Sequence, residues 1–105
     1  MAANTAKDET TVVLMDGTKV IARPLKISLL RPFMKKFAEV EAVAQDNEKS
    51  MDILVDCVQI ALQQYKPDLA EDKKALEEIL DLPTVYKIVE VASGVNLRDA
   101  ELLNM

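Results

Sequence analysis

TTVVLMDGTKVIAR, residues 10–23, writes a β-hairpin at the head of a chain that otherwise reads as helix. Two β-branched runs flank Asp16-Gly17, a pair suited to a tight turn because both residues tolerate positive φ. A two-residue turn pairs Met15 with Thr18, Val13 with Val20 and Val12 with Ile21. Alternation then sets Val13, Met15, Val20 and Ala22 on one face, with Val12, Leu14 and Ile21 on the other beside Lys19 and Arg23. Both faces are partly apolar, and an isolated two-stranded hairpin is barely stable in water. The hairpin therefore needs a cover of helices, of another subunit, or of both. Leu14 and Ile21 are the expected oligomer interface.

Pro24 ends the second strand, and Pro32 suits the first turn of a helix over about residues 31–45. Phe33, Phe37, Val40 and Ala44 recur there at i, i+4, i+7 and i+11, the spacing of one helical face. Asn47 is the expected cap of a second helix, about 48–65, in MDILVDCVQIALQQY. Its apolar residues run around most of its girth, and Asp52, Asp56, Gln59 and Gln63 confine the polar groups to one stripe. Such a helix is either central to a core or shared with a partner. Asp68 with Glu71 resembles a capping pair for a third helix, about 69–80. Asp81-Leu82-Pro83 opens a fourth, about 83–93, which Gly94 stops. Residues 1–9 read as a flexible N-terminal arm. Residues 10–105 read as a single α+β domain, mainly α, with the N-terminal hairpin packed on about four helices.

The 105 residues, half of them hydrophobic, are enough for one core only. Thirteen basic against eighteen acidic residues leave a net charge of −5. Such a chain repels the phosphate backbone, so nucleic acid is not the expected partner. There is no His, and the single cysteine, Cys57, cannot build an internal disulfide or a zinc cluster. No run approaches the roughly 18 apolar residues that span a bilayer, and the first ten residues lack a signal-peptide core. The expectation is a protein of a reducing cytoplasm with no cofactor, no metal and no membrane contact.

Cys57 lies inside a hydrophobic run with no His to activate it, so it reads as a buried structural thiol rather than a nucleophile. Asp52/Asp56 and Glu77/Glu78 are carboxylate pairs of the kind that line solvated helix faces, and an enzyme is not expected. The pair of helices around Asp81-Leu82-Pro83 resembles a helix-turn-helix in outline. Its second helix, TVYKIVEVASG, offers only Lys87 to a groove, against Glu90. The surplus of apolar residues on the second helix and on the tail is the more telling feature. Leu54, Val58, Ala61 and Leu62 form the expected partner-binding face, with Leu102 and Leu103 as a second site.

The order of these parts resembles the tail assembly chaperones of long-tailed bacteriophages: the hairpin, the aliphatic helix, then PDLAEDKKALEEILDLPTVYKIVEVASGVNL. The run from Leu80 to Val95 carries the likeness most strongly, and the whole extends over about Thr10–Leu97. The resemblance implies a non-catalytic factor of the host cytoplasm that binds the tape measure protein and promotes tail tube polymerisation around it. It also implies contact with the tail tube protein, and a homo-oligomer is the expected state. The alternative is a structural minor tail or neck protein retained in the virion.

Overall fold

The hairpin stands at the head of the fold, and the helices pack around the long central one among them. The computed structural model describes residues 9–94. Most of the expected N-terminal arm, together with Leu102 and Leu103, lies outside the described residues. Strands β1 (Thr10–Val13) and β2 (Lys19–Ala22) are antiparallel, with Thr10 opposite Ala22, Thr11 opposite Ile21, Val12 opposite Val20 and Val13 opposite Lys19. This register corrects the two-residue turn by one position. The Leu14 amide donates to the Thr18 carbonyl at 2.8 Å and the Gly17 amide to the Leu14 carbonyl at 2.9 Å, which leaves Met15, Asp16 and Gly17 as a three-residue loop. Gly17 takes φ +90°, and the Asp16 carboxylate accepts from the Thr18 amide at 3.0 Å. A slip of one residue exchanges the two faces of a strand. β2 keeps Val20 and Ala22 inward as expected, but β1 buries Val12, and Leu14 beyond it, in place of Val13 and Met15.

Helix α1 (Ile27–Ala42) starts four residues before the expected position, which puts Pro32 inside it. Pro32 has no amide to offer the Ser28 carbonyl four residues back, so it is an interior proline rather than a helix opener. A clasp from residues distant in sequence, at the C-terminal end of the next helix, holds the true start. The Gln64 side chain accepts from the Lys26 amide at 2.9 Å and donates to the Pro24 carbonyl at 3.1 Å, and the Tyr65 hydroxyl donates to the Arg23 carbonyl. Helix α2 (Asn47–Tyr65) follows, capped by Asp46, whose carboxylate accepts from the Lys49 amide at 3.0 Å. The expected cap, Asn47, is instead its first residue.

In place of one helix over 69–80 there is a 3-10 segment, Pro67–Glu71, and a short helix α3, Lys73–Glu77. Asp72 separates them in an extended conformation and caps α3 through the Ala75 amide. Helix α4 (Leu82–Ser93) is capped by Asp81, carries Pro83 in its first turn and ends at Gly94, φ +72°. These elements confirm a mainly helical α+β fold with an N-terminal two-stranded hairpin.

α2 lies at the centre, packed by α1, the 3-10 segment, α3, α4 and β2. Backbone hydrogen bonds tie the hairpin to the helices at both ends: the Met15 amide donates to the Ile79 carbonyl at 3.0 Å and the Leu25 amide to the Ala92 carbonyl at 3.1 Å. Phe33, Leu62, Leu76, Ile88, Val20 and Val58 are the large side chains sealed inside, and no charged or polar residue among the described ones is buried with them. Each such side chain contributes roughly 1.5–3 kcal/mol on burial.

Candidate docking groove

The four α2 residues expected to contact a partner do not face solvent. Leu54 is 7% exposed, and Val58, Ala61 and Leu62 are fully enclosed. Val58, Ala61 and Leu62 are thereby moved from the expected binding face into the chain's own core, whereas Leu54 lines the part of that helix that opens into a groove. Leu14, at 2% exposure, is likewise core and is removed from the expected oligomer interface, whereas Ile21 stands half exposed on the outer face of the hairpin. Amphipathic spacing identifies a buried face without saying which molecule buries it.

The apolar surface that stays open is elsewhere. A groove of about 580 Å³ runs between the first half of α2 and the α3–α4 junction. Leu54, Val55, Leu80 and Val85 line its depth, and Met51 and Leu82, each 44% exposed, stand at its mouth. Helix geometry brings these residues together. Met51, Leu54 and Val55 fall at i, i+3 and i+4 on α2, and Leu82 and Val85 at i and i+3 on α4. The break of the chain at Asp81 starts α4 beside the N-terminal half of α2, and the gap lies between them.

The rim is acidic. Asp46, Glu48, Asp52, Glu77 and Asp81 line it, against Lys49 alone. Asp46 and Asp81 are also helix caps; hydrogen bonds from Thr84, through its side chain and amide, lower the Asp81 pKa and keep it ionised. Asp52 pairs with Lys73, whose ammonium also lies 2.7 Å from Asp56, while Lys36 reaches Asp56 at 3.3 Å. Burial pulls the Lys73 ammonium down in pKa, but its hydrogen bonds to Asp52 and Asp56 outweigh that and leave it raised. The expected carboxylate pair Asp52/Asp56 is thus part of a lysine–carboxylate chain that joins α1, α2 and α3. Glu48 and Glu77 remain without an ion-pair partner among the described residues. The N-termini of α2 and α4 bring partial positive charge of about half a unit each to the same place, which offsets only part of this.

Cys57 is sealed in the core, its thiol 4.0 Å from the Phe33 carbonyl, and burial pushes its pKa up to about 12. A thiol in that setting is a weak nucleophile. Among the described residues no group of three or more His, Cys, Asp or Glu is placed to hold a metal ion, and no helix is long and apolar enough to cross a membrane. What the groove offers is an apolar trough with a negative border, the shape and chemistry that receive one face of a helix.

No protein-family model, curated protein or solved structure matches the chain.

Proposed function

We propose that this chain is a tail assembly chaperone of a long-tailed bacteriophage, a non-catalytic protein of the host cytoplasm that binds the tape measure protein and promotes polymerisation of the tail tube protein around it. The observation that supports this reading is the α2–α4 groove: Met51 and Leu82 stay exposed at its mouth although the core beneath is closed. A helical client laid in the trough buries its apolar face there. Adaptable side chains such as Met and Leu accept helices of varied sequence.

The test is co-expression of the full chain with the tape measure protein of the same genome, followed by affinity capture and by assay of how much tape measure protein stays soluble. Capture and solubility are expected with the parent chain and lost with Met51→Lys/Leu82→Lys. Absence of capture overturns the proposal. Recovery of the chain from purified virions in fixed copy number favours a minor tail or neck protein instead.

A further inference from the structure

The charges of this protein are segregated along its length. Residues 9–38 hold six basic and two acidic side chains, whereas residues 39–94 hold five basic and thirteen acidic ones. α1 runs antiparallel to α2: Lys26 at its start meets Gln64, and Val43 just past its end accepts from the Ser50 hydroxyl. The beginning of α1 therefore lies at the C-terminal end of α2, and the acidic groove lies at the N-terminal end. From Met51 to Gln64 along α2 is about 20 Å at 1.5 Å per residue.

The start of α1 carries a surface that matches the groove. Ile27, Arg31, Met34 and Lys35 share one outward stripe by their i, i+4, i+7 and i+8 spacing. Ile27 is 60% and Met34 43% exposed, and Arg31 and Lys35 face solvent without an ion-pair partner among the described residues. Two aliphatic side chains and two free cations on this stripe correspond to Met51 and Leu82 with the free carboxylates Glu48 and Glu77 at the groove. We infer that the groove is occupied, in the absence of a client, by the Ile27–Lys35 stripe of a second copy of this chain.

The two surfaces are different patches of one molecule, so the contact is head-to-tail. Repeated, it builds a row or a closed ring rather than a symmetric pair. Residues 95–105 are a poorer occupant on charge: VNLRDAELLNM adds one Arg against two acids to a rim that is already negative. The inference rests on reading the groove as a docking site, and it makes the client and the neighbouring copy compete for it.

The experiment uses the full chain alone, so its outcome is independent of whether the tape measure protein binds. Sedimentation at low salt is expected to show a mass that rises with concentration above 11.7 kDa and falls back toward it in ~0.5 M NaCl, where close charges are screened. Arg31→Glu/Lys35→Glu and Glu48→Lys/Glu77→Lys each weaken association by about tenfold or more. Combining all four substitutions in one chain restores it, because the charges of the two patches are then exchanged; all these sites are exposed, and far-UV circular dichroism checks the fold. A concentration-independent 11.7 kDa monomer at low salt overturns the inference. So does association that both charge-reversed pairs leave unchanged, or that disappears when the chain is ended at Gly94.

Discussion

The Leu14 amide donates to the Thr18 carbonyl at 2.8 Å, and this one bond decides which side of β1 is core. With it, Leu14 is 2% exposed and Met15 65%. Leu14→Ala is expected to cost about 2–5 kcal/mol, the range for emptying a sealed leucine site. Ile21→Ser, on the open face of the same hairpin, is expected to stay within about 0.5 kcal/mol. Urea melts followed by circular dichroism compare the two. Equal effects would contradict the register.

Among the described residues Gly17 and Gly94 are the two with positive φ, at +90° and +72°, Gly17 closing the hairpin loop and Gly94 stopping α4. A Cβ at Gly17 meets nothing within 4 Å, and one at Gly94 meets Pro24 Cβ at 3.5 Å, an ordinary contact. The cost of Ala at either site is therefore conformational, about 1–2 kcal/mol. Asn tolerates the left-handed region better, so Gly17→Asn is expected to recover part of that loss. Thermal melts of the three variants check the order.

The hairpin, the core helix and the glycine stop at 94 were legible in the residues because each rests on local chemistry. Asp16-Gly17 makes a turn in either register, however, and the burial of Leu14 and the bond from Met15 to the distant Ile79 carbonyl belong to the three-residue loop alone. The start of α1 was hidden for a similar reason. Pro32 is a common helix opener, while the groups that hold residues 23–26 are Gln64 and Tyr65, some forty positions away. The partner face failed on a different point. Leu54, Val58, Ala61 and Leu62 have the right spacing for an interface, but spacing is the same whether a neighbour or the chain itself supplies the cover. The break at Asp81 was legible in Asp81-Leu82-Pro83, but the groove also depends on how α4 sits against α2 and on which carboxylates lysines already hold, neither of which periodicity reports.

Asp56 bridges α1 and α3 through Lys36 and Lys73, and it is the least exposed carboxylate in that chain, at 23% for its side chain. Asp56→Asn breaks both bridges at once. The expected loss is ~1 kcal/mol, small because water and salt still screen these side chains. The difference from the parent should shrink in high salt. A loss that is constant from low to high salt would mean that packing, not charge, holds the junction.

The pH limits of stability follow from groups on opposite sides of neutrality. Burial pushes Cys57 and Tyr65 up to about 12, from ordinary values of 9.0 and 10.0. The folded chain then holds protons that the unfolded chain releases, so stability is complete below about pH 9 and declines as pH rises toward 12. Lys36, raised chiefly by its hydrogen bond to Asp56, and Lys73 add to the same alkaline loss: their ion pairs are intact below 10.5 and are lost as pH passes their higher folded values. At the acid end the sign reverses. Hydrogen bonds from Thr18 lower Asp16, and those from Thr84 lower Asp81. Their contribution is present above the ordinary 3.8 and disappears as pH falls below it. Melting temperatures measured from pH 2 to 12 are expected to hold a plateau and drop at both ends, with Asp81→Ala flattening part of the acid drop. The alkaline arm has its own readout: Cys57 should stay unreactive toward a disulfide reagent at pH 8 and become reactive only as the chain unfolds. Rapid labelling of the folded protein would show that the thiol is open to solvent and would remove the cysteine share of the alkaline loss.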